Sequence, residues 1–158
     1  AKSRLMAQVW AINEEQKELL FRKVWRYYRG DLTGKRIGIW GAAFKEESSS
    51  THNSPIHPLL AALWAQGAMV QLHDPEALPE ICSRYGEQRD LHLCHDPYSA
   101  AEQVDALLIV TPWRSYYSPN YEALKEAMNH PLILDGRNIY DPQYMKEQGF
   151  IYQGVGRL

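Results

Sequence analysis

The sequence predicts an α/β fold, in which a doubly wound, mostly parallel sheet follows a long amino-terminal helix. Two observations support this prediction. Short apolar runs alternate with segments of helical period after residue 30, and the connections between them are short. The strongest runs, Ile37–Trp40 and Leu107–Thr111, are almost continuously apolar. Strands that are covered by helices on both faces require this composition, which is typical of parallel sheets.

The size and composition of the chain fit one soluble globular domain. A length of 158 residues suffices for one well-packed core, and 45% hydrophobic with 23% charged residues excludes a disordered chain. The formal net charge of −2 gives no field that would attract nucleic acid or an anionic membrane. We find no apolar run of membrane-spanning length, no secretory signal at the start and only two cysteines. The sequence therefore predicts a reduced, cytoplasmic protein without nucleic-acid or membrane partners.

The first predicted element is a long helix, roughly Arg4–Tyr28, with apolar residues at three-to-four spacing along one face. A second apolar stripe consists of Trp10, Phe21, Trp25 and Tyr28. A helix that is apolar on two sides needs two neighbours, the body of the domain and one further surface. The segment Gly30–Gly34 then ends the helix and turns the chain.

Strands and helices alternate after this helix. The predicted strands are Ile37–Trp40, Met69–His73, Leu91–Cys94, Leu107–Thr111, Leu132–Leu134 and Phe150–Tyr152. The predicted helices are one from Ser54-Pro55 to Gly67, then Pro79–Tyr85, Ser99–Gln103, Tyr121–Met128 and Pro142–Gln148. Ser54 is suited to cap its helix, with Pro55 at the first helical position. This alternation predicts parallel strands joined by helical crossovers.

A tight turn at Gly41 follows the first strand and delivers an aromatic ring and a cation, Phe44 and Lys45. Gly41 permits the sharp turn, and the next residues are expected to open a helix whose free N–H groups suit a phosphate. The dinucleotide fingerprint is only partial, because Ala43 and Lys45 or Glu46 stand where its second and third glycines are expected. Spacing alone therefore gives a weak signal for a nucleotide.

In a doubly wound sheet, ligands bind at the carboxyl ends of the strands, near the point where strand order reverses. Four segments are expected to meet there: Gly41–Lys45, His73–Pro75, Thr111–Trp113 and Asp135–Asn138. Lys45 and Arg137 would then be two cations that face one crevice, an arrangement that suits a diphosphate. Phe44 or Trp113 could lie against a base or a sugar.

A structural interpretation is also open for each of these residues. Lys45 can be a solvated loop residue, and Arg137 can be an ion-pair partner of Asp135 or Asp141. Asp74 ends the second strand, where a dinucleotide-binding domain places its ribose-binding acid. It lies farther from the glycine turn than the usual ~20 residues. We favour the interpretation of Asp74 as part of an Asp-Pro turn that stops the strand.

A zinc site would have to combine His92, Cys94 and His95 with the distant Cys82. On a strand, His92 and Cys94 share a face while His95 points away, and no paired short-spaced motif is present. Neither cysteine has an evident base for a nucleophilic role. The sequence therefore favours neither a metal site nor a catalytic residue in this chain.

Several motifs together carry a resemblance to a known family. They are Gly34-Lys35-x-Ile37-x-Ile39-x-Gly41-x-Ala43-Phe44-Lys45, Ser54-Pro55, Asp74-Pro75, Asp135-Gly136-Arg137-Asn138-Ile139-Tyr140-Asp141-Pro142 and Gly149-Phe150-x-Tyr152-x-Gly154-x-Gly156-Arg157. In this order they resemble the carboxyl-terminal domain of UDP-glucose/GDP-mannose dehydrogenases, over nearly the whole chain. The leading helix, with Asn13-x-x-Gln16, is similar to the end of the family's central dimerisation helix. The resemblance implies that residues 1–30 end that helix and residues 31–158 form a Rossmann-like UDP-sugar-binding domain.

The resemblance also implies a role. Family enzymes oxidise the C6 alcohol of a nucleotide sugar to a carboxylate, with two NAD+ and a thiohemiacetal on a catalytic cysteine, and their carboxyl-terminal domain holds the nucleotide. Phe44 and Lys45 correspond by position to residues that contact the UDP-sugar, and Arg137 to another substrate-binding cation. General likeness favours UDP-glucose, oxidised to UDP-glucuronate for polysaccharide biosynthesis, over UDP-N-acetyl sugars or GDP-mannose.

The chain departs from the family pattern in the loop after Lys45. The family usually has Thr-Asp-Asp-x-Arg before the Ser-Pro, and its Arg reaches toward NAD. Here the loop is Ser48-Ser49-Ser50-Thr51-His52, so His52 occupies the cofactor-binding Arg position. A histidine is mostly neutral at pH 7, which leaves either a lost cofactor contact or a divergent subgroup. Solvent-exposed capping is the plain interpretation of His52 and His57.

The family's NAD-binding Rossmann domain and its central segment with the catalytic cysteine have no counterpart in this sequence. We therefore expect a fragment of a longer, homodimeric enzyme that binds NAD mainly through another domain. Two other functions stay open. One is an NAD(H)-binding half with Asp74 on the ribose, and the other is an assembly module whose nucleotide pocket is vestigial.

Overall fold

The computed structural model describes residues 18–86 and 88–156, and its strands form one sheet. The strands are β1 (Arg36–Trp40), β2 (Met69–His73), β3 (Leu91–Leu93), β4 (Ala106–Ile109), β5 (Leu132–Asp135) and β6 (Ile151–Gln153). They lie in the order β3-β2-β1-β4-β5-β6, and every adjacent pair is parallel. The chain winds outward from β1 to β3, then crosses back to β4 and winds the other way. The predicted doubly wound α/β sheet is therefore confirmed.

The connections between the strands are helical. The helices are α1 (residues 18–27), α2 (Ile56–Ala65), α3 (Leu78–Tyr85), α4 (Pro97–Ala100), α5 (Tyr121–Ala127) and α6 (Pro142–Glu147), with a 3₁₀ turn at Arg114–Tyr116. Residues 4–17 of the predicted first helix lie outside the described residues. Among residues 18–86 and 88–156, no helix combines the length and the apolar character needed to cross a membrane.

The helix that differs most from its predicted bounds is α4, which was expected at Ser99–Gln103. Asp96 caps it, because its Oδ2 accepts a hydrogen bond from Ser99 N at 3.0 Å, and Pro97 occupies its first position. Gln103 has a φ of 59° and cannot continue a right-handed helix. The Asp-Pro start signal is therefore the local feature that sets this helix earlier than predicted.

The turn after β1 also differs from the prediction. No helix begins at Gly41, since residues 41–55 form a loop and α2 starts at Ile56. The N-cap of α2 is Pro55, not Ser54 as predicted, so the helix starts one residue later. Ser54 Oγ still accepts a hydrogen bond from Ile56 N at 3.1 Å, directly before the helix. The expectation of a phosphate-binding helix start directly after Gly41 is therefore wrong.

Helix α1 packs on the body of the domain. Val24 is fully buried and Leu20 is 7% exposed, and both belong to the core around the sheet. The Tyr28 hydroxyl donates to Asp105 O at 2.5 Å, on the loop before β4. Trp25, on the second stripe, remains 41% exposed. The body of the domain is thus one of the two neighbours expected for this helix, and the domain boundary at residue 30 stays a prediction.

Gly41 provides a test of how tightly β1 and β4 are joined at their carboxyl ends. Its φ is 104°, and a Cβ there would lie 2.5 Å from Thr111 N and Cβ. Gly86 also has a positive φ, 67°, but a Cβ at that residue would meet nothing within 4 Å. We expect Gly41→Ala to lower the free energy of unfolding by about 3 kcal/mol or more, because left-handed strain and overpacking add.

Gly86→Ala is the control that adds strain without collision. With φ 67° and ψ −168°, Gly86 occupies a region that costs other residues about 1–3 kcal/mol, so its substitution should lower the free energy of unfolding by that strain alone and by less than Gly41→Ala does. Equilibrium urea denaturation measures both values. Equal losses in the two variants would contradict the close approach of Gly41 to Thr111.

Candidate functional site

The loops that follow the central strands meet at the carboxyl edge of the sheet, as the topology predicts. Gly41 N donates to His73 O at 2.8 Å, which joins the turn after β1 to the end of β2. Thr111 Oγ1 donates to Ala43 O at 2.8 Å, which joins the loop after β4 to the same turn. The amide of Gly136 donates to the last carbonyl of β4 at 2.9 Å. One continuous edge therefore carries all four predicted segments.

The carboxylate of Asp74 fastens three of these loops. Asp74 is 3% exposed, and its Oδ2 accepts hydrogen bonds from Ala42 N at 2.7 Å, Ala43 N at 3.0 Å and Trp113 Nε1 at 3.0 Å. Its Oδ1 accepts two backbone amides of the turn that follows β2, both at 2.8 Å. Five donors thus converge on one buried carboxylate, which is the favourable way to bury a charge.

With these hydrogen bonds in place, the glycine turn cannot bind a dinucleotide in the way that Rossmann folds do. Such a site needs free turn amides for the pyrophosphate and a free acid for the ribose. Here the amides of Ala42 and Ala43 bind the acid itself. The structural interpretation of Asp74 is therefore the one that the geometry supports. Trp113 is 6% exposed and bound to the same oxygen, so it has a structural role and offers little free surface to a base or a sugar.

The three predicted substrate-binding side chains lie at the rim of this edge. Phe44 is 50% exposed, and Lys45 and Arg137 are also exposed. Within residues 18–86 and 88–156, neither cation forms an ion pair or a side-chain hydrogen bond. Arg137 is therefore not paired with Asp135 or Asp141 in the described part of the chain. Two cations are left available to a ligand, and their roles stay predictions.

A second buried carboxylate shapes the loop that carries Arg137. Asp135 is fully buried, and its Oδ1 accepts a hydrogen bond from Arg137 N at 3.0 Å. Its Oδ2 accepts hydrogen bonds from Ile139 N at 2.8 Å, Tyr140 N at 3.2 Å and the Tyr152 hydroxyl at 2.8 Å. The acid of the Asp-Gly-Arg motif therefore folds the backbone and leaves the guanidinium free to point outward.

The loop that carries Phe44 and Lys45 is anchored at both ends. Phe44 N donates to Ser50 O at 2.8 Å, which closes the tip of the loop. Thr51 N and Thr51 Oγ1 donate to the two carboxylate oxygens of Glu80 on α3, each at 2.9 Å. Thr51 is 1% exposed. The exposed residues of the loop therefore extend from a fixed base.

His57 is part of this anchor, so the expectation of solvent-exposed capping is wrong for it. Its Nε2 lies 2.9 Å from Thr51 Oγ1 and its Nδ1 lies 2.6 Å from the Tyr85 hydroxyl. The Thr51 proton goes to a carboxylate, so Nε2 donates and Nδ1 accepts. Burial, with the nearby Arg84, lowers the pKa of His57. His52 is exposed beside it and lines the same surface depression.

An aromatic layer that sequence reasoning missed supports the site from within. His73 is 7% exposed, and its Nδ1 lies 2.8 Å from the hydroxyl of Tyr116, which donates to His73 O at 3.2 Å. Trp40 stacks on Tyr116 with 4.8 Å between ring centroids, and the Tyr140 hydroxyl donates to Tyr116 O. Burial lowers the pKa of His73 and raises that of Tyr116. The richness of the sequence in Tyr and Trp was the available signal, but no spacing assigned partners to these rings.

The cysteines show no arrangement for chemistry. In the described ranges, no group of three or more His, Cys, Asp or Glu side chains is placed to hold a metal. Cys82 is exposed on α3, whereas Cys94 is half-buried with its Sγ 3.8 Å from His92 O. Burial raises the pKa of the Cys94 thiol, which disfavours the thiolate that a nucleophile requires.

Comparison with known proteins places this chain and its fold among nucleotide-sugar dehydrogenases. Residues 38–142 match the UDP-glucose/GDP-mannose dehydrogenase family, UDP binding domain. The chain is 40% identical to UDP-glucose 6-dehydrogenase of Pseudomonas aeruginosa, over 98% of the chain and 35% of that protein. It is 35% identical to the enzyme of the same name from Rhizobium meliloti, over 98% of the chain and 35% of that protein.

Solved structures show the same fold. A UDP-glucose dehydrogenase from Pyrobaculum islandicum superposes with a TM-score of 0.77 at 25% identity, over 95% of this chain and 32% of that one. An NDP-N-acetyl-D-galactosaminuronic acid dehydrogenase from Methanosarcina mazei superposes with a TM-score of 0.72 at 23% identity, over 89% and 28%, and supports the fold alone. The chain spans about a third of the length of the curated relatives that it matches.

The five donors around Asp74 predict a large loss of stability when its charge is removed without a change of shape. In Asp74→Asn, the amide NH₂ must face at least two N–H groups, whichever way it is turned. We expect the free energy of unfolding to fall by about 2–4 kcal/mol. Urea denaturation at neutral pH measures this loss.

Asp141→Asn is the control for this substitution. Asp141 caps α6 by accepting one amide, Tyr144 N at 2.8 Å, and asparagine caps equally well. We expect a change within about 0.5 kcal/mol. If the two variants lost equal stability, the Asp74 carboxylate would not be what joins these loops.

The lowered pKa of His73 predicts a dependence of stability on pH. The unfolded chain takes up a proton near pH ~6.5, whereas the folded protein does so only at lower pH. Acidification from about pH 7 to pH 5 therefore favours the unfolded chain, and the free energy of unfolding falls. His73→Asn keeps a donor for Tyr116 but cannot titrate, so this fall should shrink. The exposed His92→Asn on β3 should leave it unchanged, because His92 is not among the charged groups that act on His73. An identical fall in both variants would contradict the assignment.

Proposed function

The chain belongs to the UDP-glucose/GDP-mannose dehydrogenase family, and on that basis we propose that it holds the uridine diphosphate of a nucleotide sugar, as the UDP-binding domain of a UDP-glucose 6-dehydrogenase. One observation carries this proposal. Lys45 and Arg137 are exposed at one edge of the sheet without a partner in the described ranges, while the turn amides beside them are already bound. A diphosphate at this edge must therefore be held by side chains.

Each predicted residue supplies a different interaction with the nucleotide. The guanidinium of Arg137 offers paired N–H groups that match phosphate oxygens, and its backbone is held by a buried carboxylate. The ammonium of Lys45 adds a second positive charge on a loop that is anchored at Thr51. Phe44, half exposed, offers an apolar face to the base or the sugar. Together they neutralise the diphosphate and orient the uridine.

The geometry argues against the alternative of an NAD(H)-binding half. Asp74 is enclosed by five donors and has no place for a ribose hydroxyl. We propose that NAD, which supplies the hydride acceptor in this family, is held mainly by a domain outside this chain. His52 is the residue that this domain offers toward it, as an exposed imidazole that lines the same surface depression as Arg84.

We propose further that the parent protein oxidises UDP-glucose to UDP-glucuronate in the cytoplasm, for polysaccharide biosynthesis. The chain matches only 35% of each relative, which supports the proposal that the catalytic cysteine lies in another part of the enzyme. We also propose a homodimer assembled through the helix that includes α1. The exposed Trp25 on the outer stripe of α1 supports that proposal.

The nucleotide proposal predicts ligand-induced stabilisation of this chain. UDP and UDP-glucose should raise its melting temperature, and NAD at the same concentration should not. Lys45→Met and Arg137→Met should each weaken UDP binding by about 10- to 100-fold, the effect of losing a charge-assisted hydrogen bond of ~1.5–3 kcal/mol. Because both side chains are exposed, the melting temperature without ligand should stay the same.

Arg89→Met is the matched control, since Arg89 is exposed before β3 at the opposite, amino-terminal edge of the sheet. Its substitution should leave UDP affinity unchanged. No response to either uridine nucleotide at millimolar concentration would contradict the proposal and favour an assembly module with a vestigial pocket. A larger response to NAD than to UDP would favour the NAD(H)-binding half.

A further inference from the structure

The loop around Arg137 is held from more sides than an ordinary surface loop. From within, the carboxylate of Asp135 accepts the amide of Arg137. From beneath, Gly136 packs so closely that a Cβ there would lie 2.9 Å from both Ile109 O and the Leu20 side chain of α1. Only glycine permits this approach. The side chain that these contacts leave outward, Arg137, has no partner within the described ranges.

A third restraint comes from the residue that follows. Asn138 has a φ of 55°, a left-handed conformation that asparagine tolerates better than most residues. Its Nδ2 donates to Val155 O at 2.7 Å, and its Oδ1 accepts from Val155 N at 2.8 Å. Both polar atoms of one side chain thus bind the two backbone polar atoms of one residue. Such a two-bond contact fixes orientation as well as distance, and it ties the Arg137 loop to the segment after β6.

We infer that Asn138 is a positioning residue for the diphosphate, which acts through Arg137. This inference rests on the proposed function. The Asn138–Val155 contact restrains the backbone on the carboxyl side of Arg137, as Asp135 restrains it on the amino side. The guanidinium therefore starts from a fixed backbone, and less conformational entropy is lost when the anion binds. A residue that only anchored the segment after β6 would not affect affinity through Arg137.

A double-mutant cycle on UDP affinity separates these two roles. Asn138→Gly removes both hydrogen bonds while glycine retains the positive φ without strain. Calorimetric titration with UDP would be carried out on the unaltered chain, Asn138→Gly, Arg137→Met and the double variant. We expect Asn138→Gly to raise Kd about 3- to 10-fold and Arg137→Met about 10- to 100-fold. The double variant should bind no more weakly than Arg137→Met alone.

Gln103→Gly is the matched control. Gln103 also has a positive φ, 59°, and a hydrogen-bonded side chain, at 3.2 Å from Arg36 Nη1, but it precedes β4 at the amino edge. Its substitution should lower stability and leave the Kd for UDP unchanged. If Asn138→Gly does not fold, Val155→Pro removes the amide that Asn138 Oδ1 accepts and enters the same cycle with Arg137→Met.

The outcomes are distinct. If Arg137→Met weakens UDP binding but Asn138→Gly does not, the inference is overturned and the proposed function stands. If the two losses multiply in the double variant, Asn138 does not act through Arg137, and the inference is again overturned. If the unaltered chain does not bind UDP, the proposed function itself fails, and the inference fails with it.

Discussion

The hydrogen bonds between the Asp74 carboxylate and the amides of Ala42 and Ala43 are the constraint on which the rest of the site depends. They hold the turn after β1 against the end of β2, and the Trp113 indole on the same oxygen adds the loop after β4. A buried carboxylate with five donors stabilises the fold only when all five hydrogen bonds form, because each buried polar group without a partner costs free energy. The turn amides are therefore not available to a nucleotide.

The same division of labour recurs at the neighbouring loop. Asp135 accepts hydrogen bonds from backbone amides inside the protein, as Asp74 does. An exposed cation lies near each of these two buried carboxylates. Lys45 lies just beyond the amides that Asp74 binds, and Arg137 lies just beyond Asp135. Internal acids thus shape the backbone, while external cations remain for a ligand. In the proposed function, this pattern lets a Rossmann-like sheet hold a diphosphate without a glycine-rich fingerprint.

The sequence predicted what local pattern determines and missed what distant contacts determine. Continuous apolar runs located β1 and β4, and the sheet topology then brought Lys45 and Arg137 to one edge. The expectation of a phosphate-binding helix start after Gly41 was wrong. Asp74, 32 residues from Ala42 in the sequence, accepts the hydrogen bonds of the turn amides. The hydrogen-bond partner of Trp113 lies 39 residues away in the sequence, and no local residue pattern predicts such a distant contact. For the same reason, the contacts of Asn138 and His57 became visible only in three dimensions.

The central claim is that the turn amides bind Asp74, while side chains at the rim hold the nucleotide. Amide hydrogen exchange followed by NMR, with and without saturating UDP, tests this claim most directly. We predict that Ala42 and Ala43 exchange slowly in both states, while the resonances of Phe44, Lys45 and Arg137 shift on binding. Fast exchange of Ala42 and Ala43 in the free protein, or protection that appears only with UDP, would contradict the account.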